Sequence, residues 1–167
     1  PHPKEGNKVT VRDVLGVSNG FPLIPHGHKD DSDRLHTVAS LHELNLQRLA
    51  ITPSDGGDRM AYVFNKELAP RCHYNKIDGF KDIYGRMWWD RPAPTITTKF
   101  FSVSNGRFAH PEEHRAISLR EGAVLQSFPN TYKFKGKSIA NIARMIGNAV
   151  PPKYAQCIGT AILQNSK

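Results

Sequence analysis

The hydrophobic pattern along the chain is most regular after residue 117, where it first predicts two short helices. Ser118 followed by Glu121 is the signature of a capping box, so the first of these helices begins at Leu119. The second helix follows Ser138 and places its apolar residues on one face, namely Ile139, Ile142, Ala143 and Ile146. Gly147 then occupies the position at which a left-handed C-cap closes such a helix.

Two more helical segments are predicted on either side of this region. Residues 153–163 follow a pair of prolines, which suits the first turn of a helix, and residues 41–49 carry leucines at helical spacing before Pro53. The later helix places three apolar side chains on its inner side, Tyr154, Ile158 and Ile162. Near the start of the chain, Thr10 and Asp13 can cap a short helix.

Between residues 95 and 103 the pattern changes to that of a β-strand. TITTKFFSV is rich in β-branched and aromatic residues, and the turn at residues 104–106 is expected to reverse the chain into a short strand at residues 107–108. Residues 22–34 show no periodicity and predict a surface loop. The chain is therefore predicted to be α+β: a small, mixed, mostly antiparallel region across residues 17–110, followed by helices.

Size and charge limit the classes of function. A chain of 167 residues forms one domain, or one domain with an appendage, and is long enough to bury a single core. Its net charge of +8 and isoelectric point near 9.7 favour a polyanionic partner, most simply nucleic acid, although an inert basic surface is also common. No apolar run approaches the roughly 20 residues that span a membrane. The opening PHPKEGN lacks a Met and a signal peptide, which predicts a cut or truncated beginning.

The cysteines and histidines predict neither a disulfide scaffold nor a metal site. Only two cysteines are present, Cys72 and Cys157, and they suit a reducing cytoplasm. His26, His28, His36 and the Cys72-His73 pair suggest metal ligands at first sight. Their spacing does not match the four convergent ligands of a zinc site, so we predict no bound metal.

Two strings in the helical region resemble conserved blocks of DNA cytosine-5 methyltransferases. ISLREGAVLQSFPNTYKF is similar to the ninth block of that family and IGNAVPPKYAQCIGTAI to the tenth, in the order and at the separation found in the family. With the segment 82–110, the resemblance covers most of residues 82–162, and residues 1–81 fit more loosely. VTVRDVLG resembles the segment in which the family's catalytic domain hands over to its target-recognition domain.

The resemblance implies a division of the chain into three parts. Residues 1–16 would be a linker and the handover helix, residues 17–130 a target-recognition domain that includes the ninth block, and residues 131–167 the tenth block, which returns to the catalytic domain. The C-terminal helices would then pack on a doubly wound α/β methyltransferase domain that is missing from this chain. Without that domain the apolar side of the last helix stays exposed, which favours a partner or self-association.

The resemblance also implies which residues face DNA. In the family, segments like GRM and PTITT border the major groove, so the candidate DNA contacts here are Arg86, Met87, Thr97, Thr98 and Lys99. Arg86 suits paired hydrogen bonds to guanine. Arg59 lies beside the Gly-Gly sequence of SDGGD and is a candidate contact, although an ordinary turn explains that sequence equally well. Trp88 and Trp89 are expected to pack or to fix the loop, in preference to stacking on bases.

The chemistry that the resemblance implies needs residues that this chain lacks. Methyl transfer to C5 of cytosine requires a thiolate that attacks C6 of a flipped base, an acid near N3, and S-adenosylmethionine as methyl donor. The family's Gly-rich loop, Pro-Cys, Glu-Asn and Arg-rich blocks are not found in these 167 residues, so no residue is predicted to be catalytic. The tenth block borders the cofactor pocket in the family, which makes Asn148, Ala149 and Val150 candidate contacts to S-adenosylmethionine. Asn148 can equally serve to cap its helix.

The implied function is that of the C-terminal, target-recognising part of an S-adenosylmethionine-dependent DNA (cytosine-5) methyltransferase of a bacterial restriction-modification system, associated with DNA in the cytoplasm. Its partners would be double-stranded DNA with a flipped cytosine and an N-terminal catalytic half or subunit that binds most of the cofactor. Alone, the chain is expected to transfer no methyl groups. A stand-alone, sequence-specific DNA-binding module is the alternative, and a protein that docks on another methyltransferase is a weaker one.

Overall fold

Four α-helices, separated by long irregular segments, form the regular structure of the chain. The computed structural model describes residues 8–31 and 35–165, so residues 1–7 of the predicted linker and residues 32–34 of the predicted surface loop lie outside the described residues. The helices are α1 (Glu43–Ile51), α2 (Leu119–Leu125), α3 (Ile139–Asn148) and α4 (Pro152–Asn165). Short 3₁₀ turns lie at Val17–Asn19, Arg59–Tyr62 and Val103–Asn105.

Side-chain caps fix where the helices begin. At α2, Ser118 Oγ accepts a hydrogen bond from the Glu121 N–H at 3.1 Å, and the Glu121 carboxylate accepts one from the Ser118 N–H at 2.6 Å, which is the predicted capping box. Ser138 caps α3 by accepting from the Asn141 N–H at 3.2 Å. The predicted positions of all four helices are confirmed. The helix predicted near residues 10–15 is only a single turn.

The end of α3 differs from the prediction. Gly147 is not a left-handed C-cap; it lies inside α3, which continues through Asn148, and Ala149 follows in an extended conformation with φ −72° and ψ 144°. Close packing explains this glycine, because a Cβ built there would lie 2.5 Å from the backbone of Thr97 and of Thr98. A glycine is therefore needed at this position because no side chain would fit there, and not because the backbone has an unusual φ.

The antiparallel sheet predicted for the recognition region is not found. Within residues 8–31 and 35–165, β-pairing is limited to a parallel bridge between Arg86 and Ala109 and an antiparallel bridge between Ala109 and Ala116. The predicted strand at residues 95–103 is wrong: an extended stretch leads into a turn, closed by the Phe100 N–H and the carbonyl three residues earlier, and then into a 3₁₀ turn. Within this segment the Lys99 carbonyl accepts from the Ser102 N–H and the Val103 carbonyl from the Tyr84 N–H, so these groups are bonded without a sheet ladder.

One hydrophobic core joins the N-terminal turn, the middle of the chain, α2 and α3. Its largest fully buried apolar side chains are Leu15, Met87, Phe100, Ile117, Leu119 and Ile146. A second, smaller cluster attaches α1 to this core through Leu49, Val103, Ala109 and Ala116. The core therefore fixes the relative position of α2, α3 and the segment that leads into them.

α4 leaves its apolar side exposed, as expected from the resemblance to a family whose catalytic domain would cover it. None of its described residues is buried, and the exposed apolar side chains include Tyr154, Ile158 and Ile162. At its start, the Lys153 N–H donates to Ser127 Oγ at 3.1 Å, which attaches the helix to the turn after α2. In the described part of the chain, no helix is both long enough and apolar enough to cross a lipid bilayer.

Candidate functional site

Arg86, the first of the predicted DNA contacts, is fully buried, with 0% of its surface exposed. Its guanidinium donates to one imidazole nitrogen and to four backbone carbonyls. The acceptors, at 2.7–3.2 Å, are His114 Nδ1 and the carbonyls of Leu49, Thr52, His110 and Glu113. Burial lowers the pKa of this guanidinium. Arg86 therefore cross-links the end of α1 to the segment before α2, and in this conformation it cannot form the predicted bonds to guanine.

Arg59 and Met87 are also buried, with 1% and 0% of their surfaces exposed. Met87 packs in the hydrophobic core, and Arg59 donates to three carbonyls of the loop at residues 76–80. Direct DNA contact by either side chain is incompatible with this arrangement. A sequence pattern does not distinguish an arginine that faces solvent from one that faces a group of carbonyls, which is why the burial of Arg59 was not predicted.

The two tryptophans fix the neighbouring loop, as predicted. The guanidiniums of Arg91 and Arg107 both lie over the Trp88 ring, 4.3 Å and 3.9 Å from its centroid. Gly56 of SDGGD has φ 95° and packs on the same ring, where a Cβ would lie 1.8 Å from Nε1. Trp89 is buried and donates from Nε1 to a glutamate carboxylate at 2.8 Å. The first glycine of the Gly-Gly sequence therefore makes room for an indole ring.

Thr97, Thr98 and Lys99 are the solvent-accessible members of the predicted DNA-contact set. Thr97 and Lys99 are exposed, and Thr98 is half-buried. The backbone of Thr97 and Thr98 lies directly against Gly147 of α3, at the close approach described above. The structure therefore brings the PTITT segment and the IGNAVPP turn together, although they are far apart in the sequence.

The predicted cofactor contacts are the last residue of α3, Asn148, and the two residues of the turn that follows it, Ala149 and Val150. The side chains of Asn148 and Val150 are exposed, and Ala149 is half-buried. Gln126, from the LQSFP string, donates from Nε2 to the carbonyls of Ile146 at 3.1 Å and Ala149 at 3.3 Å. The Ile146 carbonyl also accepts from the Ala149 N–H, so Gln126 adds to the bonds that close the end of α3, and it ties the turn to α2. The local sequence pattern gives no indication of this role, because it depends on the packing of α2 against α3.

An ion-pair network supports the start of α2. Arg115 is buried and donates to both carboxylate oxygens of Glu121, at 2.7 Å and 2.8 Å, and also to Glu113 at 2.7 Å. Burial alone would raise the pKa of the Glu121 carboxyl, but the hydrogen bonds and charge of Arg115 outweigh it and hold that pKa below its usual value. The network is therefore a charged part of the core that keeps α2 in place.

His110 is buried beside this network and is held as one neutral tautomer. Its Nδ1 accepts from the N–H groups of Glu112 at 3.3 Å and Glu113 at 3.1 Å, so the ring proton must lie on Nε2, which faces the Glu113 carboxylate at 3.2 Å. A second proton would have to enter between Nδ1 and two N–H groups. Burial, followed by the charge of Arg115, lowers the pKa of His110 to about 4.

This lowered pKa predicts a loss of stability in mild acid. Between the ordinary pKa of histidine, 6.5, and the folded pKa of about 4, His110 is protonated in the unfolded chain and neutral in the folded chain. The free energy of unfolding is expected to fall by roughly 2–3 kcal/mol through this group as the pH drops from about 6.5 to 4. Urea unfolding at a series of pH values measures the effect.

Two variants separate His110 from the other histidines. His110→Asn keeps an acceptor near the position of Nδ1 but cannot be protonated. Its urea midpoint should therefore be lower than that of the wild type at every pH, and should change less with pH between about 6.5 and 4. His26→Asn, at an exposed position, should keep the wild-type profile. An unchanged slope in His110→Asn would mean that another group causes the acid sensitivity.

The sequence is similar to those of known proteins over most of its length. Residues 3–164 match the sequence model of a family described as C-5 cytosine-specific DNA methylase. Type II methylase M.HgiDII of Herpetosiphon aurantiacus is 40% identical over 161 residues, which cover 93% of this chain and 44% of the relative. Type II methyltransferase M1.BsuMI of Bacillus subtilis is 38% identical over 130 residues, covering 74% and 28%. The chain thus spans less than half the length of these relatives.

Proposed function

Because the chain belongs to the C-5 cytosine-specific DNA methylase family, we propose that it supplies the target-recognising part of a DNA (cytosine-5) methyltransferase together with the last segment of that enzyme's cofactor pocket. In this proposal the substrate is double-stranded DNA with a flipped cytosine. The two bacterial relatives are named Type II enzymes, which favours a restriction-modification system acting on DNA in the bacterial cytoplasm.

The observation that carries the proposal is the contact between the two candidate surfaces. Gly147 packs on the backbone of Thr97 and Thr98, so residues 97–99 and residues 148–150 belong to one packed unit built on α2 and α3. Thr97 and Lys99 are exposed in the first stretch, and Asn148 and Val150 in the second. A unit of this kind can hold a DNA strand and a cofactor at a fixed distance from each other. Reaction between a base and a methyl donor requires such fixed placement.

The residues at the turn fit a ligand with one polar and one apolar end. Asn148 offers an exposed amide, which can bond a carboxylate or an ammonium group, and Val150 offers an exposed apolar side chain beside it. S-adenosylmethionine, when bound, supplies an electrophilic methyl group. In this proposal Asn148, Ala149 and Val150 contact its methionine end, while most of the pocket belongs to the N-terminal half of the enzyme.

The reacting groups would come from that N-terminal half or from a separate subunit. This sequence contains no Pro-Cys pair, and Cys72 and Cys157 are both exposed. The exposed apolar side of α4 suits docking on the doubly wound domain that carries the nucleophile. The chain's own contribution would then be to select the DNA sequence and to close the cofactor site.

Methyl transfer from radiolabelled S-adenosylmethionine to mixed-sequence DNA tests the proposal. The chain alone is expected to give only background, whereas the chain mixed with a separately produced catalytic half should transfer methyl groups. In the mixture, Asn148→Ala should raise the KM for S-adenosylmethionine by roughly tenfold, because one hydrogen bond to a charged group is lost. Asn130→Ala, at an exposed position outside the turn, should leave it unchanged.

The other outcomes of this assay are equally informative. Activity of the chain alone would mean that its own cysteines suffice, and would direct attention to Cys72 between Arg71 and His73. No activity in the mixture, with DNA binding intact, would favour a stand-alone DNA-binding module over part of an enzyme.

A further inference from the structure

A buried arginine holds a loop that is otherwise entirely on the surface. Residues 75–82 are all exposed, yet three carbonyls within this stretch accept hydrogen bonds from Arg59, which is 1% exposed. Nη1 donates to the Lys76 carbonyl at 2.7 Å, Nη2 to that of Asp78 at 2.9 Å, and Nε to that of Phe80 at 2.9 Å. We call residues 71–81 the clamped loop.

The clamp makes the loop's path independent of the hydrophobic core. Burying a guanidinium is costly unless its donors are satisfied, and here three of them end on one short loop. Directly before the first of these carbonyls, the Asn75 N–H donates to the Val63 carbonyl at 3.0 Å and attaches the loop at a further point. Asn75 and Gly79 have positive φ of 56° and 85°, which sets two sharp changes of direction. The loop is therefore pre-organised while its side chains stay in solvent.

The side chains that the clamp presents combine an apolar tip with positive charge. Phe80 is 84% exposed, more than any other large apolar side chain in the described residues, and Ile77 is 52% exposed. The exposed cations of the loop are Arg71, Lys76 and Lys81, against a single carboxylate, Asp78. No core contact requires an aromatic ring at this tip, so the ring is available to a partner.

We propose that the clamped loop reads base edges in DNA, with Phe80 as its specificity-determining side chain and Arg59 as the positioning residue that never touches the DNA. This inference rests on the proposed function and assigns recognition to residues that the sequence patterns did not indicate. The excess of cations over carboxylates favours phosphate-lined DNA over a protein surface. In the major groove an apolar ring contacts the thymine methyl group, so the selected sequence should contain a thymine that depends on Phe80.

Selection of binding sites from randomised DNA duplexes by the full chain tests this assignment. Phe80→Ala should lose roughly tenfold or more of the preference at one base pair. Arg59→Lys keeps the charge but cannot bond three carbonyls at once, and should weaken the preference at every position read by the loop while leaving the salt dependence of binding unchanged. Leu23→Ala, which removes an exposed apolar side chain elsewhere, should select the wild-type sequence.

A second measurement needs no variant and therefore does not depend on whether Arg59→Lys folds. Acetylation of the wild-type chain with and without DNA, read by mass spectrometry, should show Lys76 and Lys81 protected by DNA, whereas Lys153 on α4 should remain reactive. Protection that includes Lys99 but leaves Lys76 and Lys81 reactive would overturn the assignment, because DNA would then bind without the clamped loop.

The remaining outcomes separate this inference from the proposed function. If the wild-type chain binds no DNA, the proposed function fails and the loop has no DNA to read. If the wild-type chain selects a sequence and both loop variants select the same one with unchanged affinity, only the loop assignment fails. If the loop variants bind DNA normally but no longer support methyl transfer with the catalytic half, the loop docks on protein, which also overturns the assignment.

Discussion

Arg86→Ala is expected to lower the free energy of unfolding by about 3 kcal/mol or more, because it removes one donor group from several buried acceptors. The carbonyls of Thr52 and His110 lose the guanidinium, whereas those of Leu49 and Glu113 keep a second donor from the backbone. A buried acceptor left without a partner costs roughly 1–3 kcal/mol. Urea unfolding followed by circular dichroism measures the loss.

Two comparisons show whether the loss belongs to this buried site. Arg12→Ala removes an arginine whose ion pair with Asp90 lies in solvent, and should leave the unfolding midpoint almost unchanged. Arg86→Lys keeps the positive charge but not the planar fork of donors, and should recover only part of the stability. If Arg86→Ala instead kept the wild-type midpoint and changed the preferred DNA sequence, the direct contact to guanine would be restored as the better explanation.

Gly147→Ala should destabilise the chain by about 1–3 kcal/mol, although alanine inside a helix is ordinarily more favourable than glycine. The new methyl group would meet the backbone of Thr97 and Thr98 at 2.5 Å, where no flexible side chain can move aside. Either α3 or the 97–99 segment must shift. We therefore expect weaker DNA binding and weaker S-adenosylmethionine binding together in the reconstituted enzyme, measured beside thermal unfolding of the chain.

Gly159→Ala is the matched control for this substitution. Gly159 also lies inside a helix, but nothing lies within 4 Å of the position of its Cβ. The same change should there be neutral or stabilising by up to about 1 kcal/mol. Equal effects of the two substitutions would show that packing against residues 97–98 does not explain Gly147.

The helices could be predicted from the sequence because their signals are local. A capping box, a proline and an apolar stripe act within a few residues of one another, and α2 and α3 begin where Ser118 and Ser138 indicated. The predicted strand at residues 95–103 failed for the opposite reason. Composition favoured a strand there, but a strand also needs a neighbour to pair with, and in the described residues that pairing is reduced to two bridges at Ala109.

Which arginines are buried could not be predicted from the sequence. Their burial lowers the number of positive charges that can contact DNA. Six arginines are among the buried residues: Arg48, Arg59, Arg86, Arg107, Arg115 and Arg120. Buried guanidiniums cannot displace counterions from phosphates, so the salt dependence of DNA binding should reflect fewer contacts than the net charge of +8 suggests.

The candidate site was predictable only in part. Residues 97–99 and 148–150 were indicated by their family strings, but the contact between the two stretches through Gly147 depends on the folded chain.

The three bonds from Arg59 end on main-chain oxygens, and every residue type carries that oxygen. Side chains at residues 76–78 and 80 can therefore be exchanged while the path of the loop is kept. The positions that must stay fixed are Arg59 itself and the two turns with positive φ, at Asn75 and Gly79. A protein with such a loop can acquire a new target sequence through substitutions at the tip of the loop, while the rest of the fold stays unchanged.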